Sequence, residues 1–177
     1  SSDDVPFARL TGNFRQTEGS SIIRLARDVI EGKDPQLSRI TSRDGVIFFP
    51  ESDEDKMQKL VLDLYNTRLP GMFKLQTSDE VQILAPMRKG PVGTDALNQA
   101  IQDTLWSNSE PLIQRGNRKP LYRGDKVIQT SNNYELDVRN GDIGTILRGG
   151  DDGEIFVEYP AKDVPYKGDD LEALEPA

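Results

Sequence analysis

The chain has 177 residues, of which 35% are apolar, and it carries a formal net charge of -8 at pH 7. This length allows one domain, or a larger domain with a small companion. Cysteine and histidine are both absent, which excludes disulfides, thiolate chemistry and the commonest general base and metal ligand. The sequence also contains neither a D-x-[DN]-x-[DN]-G calcium loop nor a G-x-x-x-x-G-K-[ST] phosphate loop. No metal site is predicted.

The hydropathy pattern contains no apolar run of about 18 residues or more, and the start SSDDVPFARL lacks the features of a signal peptide. We therefore expect a soluble, cytoplasmic protein with no membrane partner. The charges are unevenly placed, since residues 112–148 hold seven basic and four acidic residues while residues 151–177 hold nine acidic and two basic ones. This weakly basic strip is compatible with a nucleic-acid face, although a mixed-charge solvated surface is the alternative. The acidic tail is predicted to be solvated.

The first half has the alternation of an α/β domain. Residues 7–14, 46–49 and 81–85 are predicted strands, and the two later ones are short apolar runs. Each is followed by a helical pattern. The first helix has Ser20 or Ser21 as N-cap and Gly32 at its end, the second follows a capping signal at residues 52–55, and Thr94 caps the third. The inner face of the third helix is predicted to consist of four apolar residues, namely Leu97, Ala100, Ile101 and Leu105. This order predicts a parallel sheet covered by helices.

The second half has the pattern of a small all-β domain. Residues 107–120 are rich in serine, asparagine, glycine and proline, and are predicted to be a loop. Four short strands follow at residues 126–130, 143–147, 155–159 and 164–166, separated by turn sequences such as Asn140-Gly141-Asp142. This spacing predicts a small barrel. Trp106 is expected to cap a helix end against the core.

Two polar stretches follow predicted strands of the parallel sheet, where ligands gather in such folds. Arg15 and Gln16 follow the first strand, and residues 86–93, with Arg88, Lys89 and Gly90, follow the third. An arginine offers a permanent charge and a planar set of donors suited to phosphate, and glycine allows a close approach of backbone to ligand. The alternative is that these side chains are ordinary surface residues, with Arg15 in an ion pair.

Three blocks of sequence resemble those of one protein family. LTGNFRQTEGSSII at residues 10–23 resembles motif IV of RecD-type DNA helicases. ILAPMRKGPVGTDALN at residues 83–98 is similar to the A-P-M-x-x-G-P-x-G-x-x-x-L-N block of that family. GDKVIQTSNNYE with NGDIG, within residues 124–144, is similar to its G-D-K-V-x-Q-x-x-N-N-Y-E and N-G-D-x-G block. Arg139 departs from the family, which has phenylalanine before N-G-D, and this puts an apolar contact there in doubt.

The resemblance implies a fold and a division of the chain. Residues 1–118 are expected to form part of a second RecA-like motor lobe, with a parallel sheet and flanking helices, and residues 119–177 a small SH3-like β-barrel inserted in that lobe. ATP and Mg²⁺ would be the cofactors of the whole enzyme, held mainly by an N-terminal motor lobe that supplies the Walker lysine and the Mg²⁺-binding acid. No residue of this chain matches either motif, so we expect a piece of a larger protein that is inactive alone.

The resemblance also implies roles for individual residues. Arg15 would reach the γ-phosphate of ATP across the cleft, and Gln16 would assist it or serve a structural purpose. Single-stranded DNA would contact the loop at residues 86–93 through backbone amides, Arg88 and Lys89, with Pro86 and Gly90 shaping the approach. It would also contact Asn132, Asn133 and Tyr134, with Tyr134 stacking on a base. A core aromatic of the barrel is the alternative for Tyr134.

These expectations combine into one hypothesis about function. The chain is interpreted as part of an ATP-dependent DNA helicase similar to the alpha subunit of exodeoxyribonuclease V, with 5′ to 3′ polarity implied by the family alone. Its partners would be single-stranded DNA and the N-terminal motor lobe of the same protein. Two alternatives stay open. One is the motor lobe of a conjugative relaxase-helicase of the TraA kind, and the other is a non-catalytic module that binds DNA or protein.

Overall fold

The structure is a computed structural model that describes residues 20–35, 37, 45–75 and 80–177. The chain divides into two compact units, Ser1–Pro50 and Glu51–Ala177. The predicted strand at residues 7–14, and with it Arg15 and Gln16, lies outside the described residues. The division at residues 118 and 119 into a motor lobe and a barrel stays a prediction.

The described part of the first unit contains one helix, α1 (Ser21–Ile30). Ser20 is its N-cap residue, and Gly32 follows its end with a φ of 68°, so both predicted boundaries are confirmed. The apolar residues recur at helical spacing but are not buried, since Ile22 is 48% exposed and Ile30 is 83% exposed. The sequence pattern therefore predicted the helix correctly, and the described residues provide no core for it.

The prediction of strands at residues 46–49 and 81–85 is not met, because the structure assigns no strand to either segment. Among the described residues, no pair of strands is parallel. A short apolar run predicts that a segment is buried, but a strand exists only where a neighbouring strand accepts and donates its hydrogen bonds. The RecA-like parallel sheet therefore remains a prediction.

The second unit begins with a continuous helical stretch. It consists of α2 (Glu54–Asp63), a π-helical turn (Leu64–Arg68) and α3 (Leu69–Phe73). The N-cap of α2 is Asp53, whose Oδ1 accepts a hydrogen bond from the backbone amide of Lys56 at 3.0 Å. The predicted capping signal at residues 52–55 was thus correct in place but shifted by one residue, since the helix begins at Glu54.

Helix α4 (Thr94–Leu105) has Gly93, and not Thr94, as its N-cap residue. A Cβ atom at Gly93 would lie 2.5 Å from the carbonyl oxygen of Arg88, so only glycine fits there. Of the predicted inner face, Leu97 is buried while Leu105 is 44% exposed. The buried position in the last turns is instead taken by Gln102.

The strands of the second unit form a hairpin and a five-stranded antiparallel sheet. The hairpin pairs β1 (Ile113–Arg115) with β2 (Arg118–Leu121). The prediction of a loop at residues 107–120 was therefore wrong for residues 113–115 and 118–120. The larger sheet has the order β6-β5-β4-β3-β7. Its strands are β3 (Lys126–Gln129), β4 (Ile143–Gly149), β5 (Ile155–Tyr159), β6 (Lys162–Tyr166) and β7 (Leu174–Pro176). All four predicted strands are confirmed, and the arrangement is consistent with an SH3-like barrel.

The barrel has a continuous apolar core. Its fully buried members are Leu121, Val127, Ile155, Val157, Tyr166 and Leu174. Inside this core, the hydroxyl groups of Tyr159 and Tyr166 lie 2.8 Å apart, and the Tyr166 hydroxyl donates to Oε1 of Gln129 at 3.0 Å. The polar groups in the core are thus hydrogen-bonded to one another, which removes most of the cost of burying them.

The acidic tail is only partly solvated, contrary to the prediction. A 3-10 helix (Gly168–Ala173) leads into β7, which pairs with β3 and contributes Leu174 to the core. Leu171 is also buried, whereas Asp169 and Glu172 are exposed. The tail therefore completes the barrel with its apolar residues, while Asp169 and Glu172 face solvent. None of the helices in the described ranges is both long and apolar enough to cross a membrane.

Candidate nucleic-acid interface

The loop at residues 86–93 is folded tightly against the start of α4. The backbone amide of Thr94 donates to the carbonyl of Met87 at 3.0 Å, and that of Asp95 donates to the carbonyl of Arg88 at 3.1 Å. Within the loop, the amide of Gly93 donates to the carbonyl of Gly90 at 3.1 Å. These amides are the donors that a helix N-terminus offers to an anion. Because they are already paired, a ligand at this loop would be held mainly by side chains.

The two cations of the loop differ in their surroundings. Arg88 is exposed, and its Nε lies 3.4 Å from Oδ2 of Asp95 in an exposed ion pair. Lys89 is also exposed, and no ion pair joins it to another residue in the described ranges. Gly90 has a φ of 96°, which allows the turn that displays Lys89. Lys89 is therefore the cation of this loop that is most available to a phosphate.

Tyr134 lies on the loop between β3 and β4 and is 86% exposed. The alternative that it belongs to the core of the barrel is therefore wrong. An exposed aromatic ring with no apolar neighbours to cover it is suited to stacking on a base. Arg139 is exposed on the same loop, so it does not replace the apolar contact of the family's phenylalanine.

The two asparagines beside Tyr134 organise this loop. Oδ1 of Asn133 accepts hydrogen bonds from the amides of Glu135 and Leu136, both at 3.1 Å, and its Nδ2 donates to Oδ1 of Asp170 at 2.8 Å. Oδ1 of Asn132 accepts from the amide of Asn140 at 2.9 Å. Both predicted DNA contacts thus have structural roles. They hold the loop in the shape that presents Tyr134.

A groove of about 510 Å³ separates the segment at residues 81–88 from the barrel. The residues that line it include Pro86 and Arg88 of that segment, Ile128 of β3 and Ile143 of β4. The structure thus brings the first predicted DNA loop next to the barrel. Of the predicted DNA-binding residues in the described ranges, Lys89, Gly90, Asn132, Asn133 and Tyr134 are not among those that line the groove.

A buried carboxylate joins α4 to the barrel. Asp125 accepts hydrogen bonds from Nε1 of Trp106 and Nε2 of Gln102, both at 2.7 Å, and from the amide of Tyr122 at 2.9 Å. Burial raises the pKa of Asp125 above its ordinary value of 3.8, and the three donors act in the opposite direction. The ring of Trp106 also stacks on Tyr122, with centroids 6.2 Å apart. Trp106 is the C-cap residue of α4, as predicted.

Sequence reasoning missed the roles of Gln102 and Asp125 because these residues are far apart in the chain. The sequence feature connected with this contact is Gly124. A Cβ atom there would lie 2.9 Å from the Trp106 ring, and the residue has a φ of 87°. A glycine directly before a buried acid is thus explained by the close approach of the indole. The spacing alone gave no indication of the partner.

Several residues of the basic strip are engaged within the protein. Arg115 donates through Nε to the carbonyl of Lys119 at 2.9 Å and through Nη1 to the carbonyl of Leu174 at 2.5 Å, and burial lowers its pKa. Lys119 donates to the carbonyl of Asp95, and burial likewise lowers its pKa. The guanidinium of Arg148 lies 3.7 Å from the centroid of the Phe156 ring. The local excess of positive charge therefore does not form one free surface.

The nucleotide half of the hypothesis involves residues that the structure does not describe, namely Arg15 and Gln16. In the described ranges, no three acidic side chains come together in a group that could hold a metal ion. The ATP and Mg²⁺ part of the hypothesis therefore stays a prediction.

Comparison with known proteins gives a consistent family relationship. Residues 97–159, from α4 to the end of β5, match the sequence model described as ATP-dependent RecD-like DNA helicase SH3 domain. The chain is 30% identical over 174 residues to the ATP-dependent RecD2 DNA helicase of Deinococcus radiodurans, a match that covers 97% of this chain and 22% of that protein. It is 32% identical over 157 residues to the RecBCD enzyme subunit RecD of Mycobacterium tuberculosis, covering 83% of this chain and 26% of the relative.

The chain also has a shorter match to the RecBCD enzyme subunit RecD of Mycolicibacterium smegmatis. It is 35% identical over 74 residues, which covers 41% of this chain and 12% of that protein. The chain thus spans about a quarter or less of the length of these relatives. The matches support a relationship to RecD-like DNA helicases, and the barrel is the part that the family model identifies.

Proposed function

We propose that this chain is part of a RecD-like, ATP-dependent DNA helicase and that it contributes a surface for single-stranded DNA. The observation that carries the DNA-binding part is the placement of Tyr134, which is 86% exposed on a barrel loop whose neighbouring asparagines are hydrogen-bonded in place. A hydrogen-bonded loop that displays an aromatic ring is suited to base stacking without sequence preference. Lys89, on the loop at residues 86–93, would supply a phosphate contact.

The other parts of the proposal rest on sequence similarity. The whole protein would bind ATP and Mg²⁺ mainly in an N-terminal motor lobe, with Arg15 at the γ-phosphate and Gln16 beside it. Residues 1–118 would belong to the second motor lobe, and translocation would run 5′ to 3′. Two of the relatives are named as subunits of the RecBCD enzyme, so assembly with other proteins is also proposed. A role as a relaxase-helicase lobe or as a non-catalytic module remains the alternative.

Binding of fluorescent oligo-dT by the chain, followed by fluorescence anisotropy at several salt concentrations, tests the DNA-binding part. We expect affinity to fall with added salt, because each phosphate contact by a cation adds about 0.7 to the slope of log K against log salt for single strands. Lys89→Met should lower that slope by about 0.7. Absence of binding at low salt would rule out the proposed DNA surface.

Substitution of Arg15 tests the nucleotide part in a protein that carries both motor lobes. Arg15→Ala should lower kcat for DNA-stimulated ATP hydrolysis by about 1,000-fold or more, as for other arginines that stabilise phosphoryl transfer, and should leave oligo-dT binding unchanged. Arg24→Ala, on the exposed side of α1, is the matched control. A normal kcat in Arg15→Ala would return Arg15 to the role of a surface residue.

A further inference from the structure

Two consecutive residues connect the barrel to the elements on either side of the loop at residues 86–93. They are Asp125, in the turn before β3, and Lys126, the first residue of β3. Asp125 holds the C-terminal end of α4 through Gln102 and Trp106. Lys126 donates through Nζ to the carbonyl of Val81 at 3.0 Å, and its Nζ also lies 3.5 Å from Oε1 of Gln82. The loop is therefore attached to the barrel at both of its ends, because the segment before it is hydrogen-bonded to Lys126 and the helix after it is hydrogen-bonded to Asp125.

Other hydrogen bonds also hold the loop region and α4 in place. Nδ2 of Asn98 on α4 donates to the carbonyl of Pro176 at 2.7 Å, and the amide of Ala177 donates to the carbonyl of Lys126 at 2.9 Å. Within the loop itself, the carbonyl of Pro91 accepts a hydrogen bond from Nε2 of Gln58 on α2 at 2.6 Å. The contacts of the barrel with the loop region thus come from β3 and β7, which pair with each other, and from Lys119 of β2, which donates to the carbonyl of Asp95.

We infer that Asp125 and Lys126 are positioning residues that fix the loop at residues 86–93 relative to the barrel, so that the loop and Tyr134 act on DNA as one surface. Neither residue needs to touch the ligand for this purpose. Asp125 is buried, with its carboxylate oxygens taken up by three donors. Lys126 is half-buried and faces the backbone of the segment it holds. The DNA aspect of this inference rests on the proposed function, whereas the mechanical aspect does not.

The geometry explains why an acid and a lysine suit these positions. A buried carboxylate can accept several hydrogen bonds at once, and it therefore joins side chains of α4 to the backbone of the turn before β3. A lysine extends an apolar stem and delivers a charged donor to the carbonyl oxygen of Val81, in a segment that has no strand partner. Loss of either group removes one of these attachments and leaves the barrel core intact.

Hydrogen exchange of the chain in the absence of DNA tests the mechanical aspect. Lys126→Met keeps most of the stem and removes the donor, so exchange in the peptide covering residues 81–93 should rise by about tenfold, the equivalent of one charge-assisted hydrogen bond. The peptide covering β5 should be unchanged. Lys162→Met is the matched control, because Lys162 donates to Leu136 and Asp137 elsewhere in the barrel. Unchanged exchange at residues 81–93 in Lys126→Met would overturn the inference.

Trp106→Phe is the milder test of Asp125, because Asp125→Ala leaves several buried donors unpaired and the variant could fail to fold. The phenylalanine keeps an aromatic ring near Tyr122 and removes the Nε1 donor to Asp125. Exchange in the C-terminal half of α4 should rise by about tenfold while that of β5 stays constant. Equal exchange in the wild type and the variant would show that Asp125 does not hold this helix through Trp106.

Salt-dependent oligo-dT binding separates a positioning role from a direct contact. In Lys126→Met, affinity should fall several-fold relative to the wild type, and the salt slope should stay at the wild-type value. A slope lower by about 0.7 would mean that Lys126 itself binds phosphate, which contradicts the inference. If the wild type binds no DNA, the proposed function fails, while the exchange experiment still decides whether Asp125 and Lys126 hold the loop.

Discussion

Within Glu51–Ala177, the barrel and the region before it differ in how far they bury their apolar side chains. The barrel strands bury the side chains of their inner face almost completely, as Val127, Ile146 and Val157 show. In the preceding region, Phe73 is 65% exposed and Leu84 is 89% exposed. Since apolar side chains stabilise a fold roughly in proportion to the area they remove from water, most of the stability of this unit should reside in the barrel. The helices and the loop at residues 86–93 depend on polar attachments to it.

A matched pair of alanine substitutions offers the strongest test of this difference. Ile146→Ala in the barrel should lower the free energy of unfolding by about 2 to 5 kcal/mol, because it leaves a cavity in a closely packed core. Leu84→Ala should change it by less than about 0.5 kcal/mol, since the side chain is already exposed. Urea unfolding followed by circular dichroism measures both values. Similar losses in the two variants would mean that the regions are not distinct in this way.

The pH dependence of the free energy of unfolding tests the contact at Asp125, where the two regions meet. Because burial raises the pKa of Asp125, the folded state binds its proton more tightly than the unfolded state does. Stability from this group is then fully present below pH 3.8, its ordinary pKa, and is lost as pH rises through the higher folded-state pKa. Asp125→Asn removes this titration.

The difference in unfolding free energy between the wild type and Asp125→Asn should therefore decline as pH rises from below 3.8. It should become constant above the folded-state pKa. Urea titrations over a pH series measure this difference, and they remove the contributions of other carboxylates that titrate in both proteins. A difference that grows with pH would mean that the hydrogen bonds to Asp125 outweigh its burial.

The barrel could be predicted from sequence because its determinants are local. Alternating strands and turn residues such as Gly141, which has a φ of 96°, lie within a few positions of each other. The strand β7 could not be predicted, because Leu174 and Pro176 lie in a tail whose charge suggested solvation. Its place in the sheet depends on β3, which is far away in the chain.

The first half could be predicted only in part, because its helices depend on nearby residues whereas its expected sheet depends on residues far apart in the chain. Helices α1, α2 and α4 follow from periodicity and from caps close to Ser20, Asp53 and Gly93. A parallel sheet depends on strands that are separated by whole helices, and the described residues contain no such sheet.

The candidate site shows the same division between local and distant determinants. The exposure of Tyr134 excludes a place in the barrel core, an alternative that the pattern had left open. The partners of Asp125 lie on a helix about 20 residues earlier, so no local pattern revealed them.

The most direct test of the central claim, that the barrel presents a surface for single-stranded DNA, is oligo-dT binding by two variants of Tyr134. Tyr134→Ala should weaken binding by about 1 to 3 kcal/mol, the usual contribution of one stacked base, and should leave the free energy of unfolding unchanged. Tyr134→Phe should bind like the wild type because it keeps the ring. Equal affinity in Tyr134→Ala and Tyr134→Phe would contradict the account.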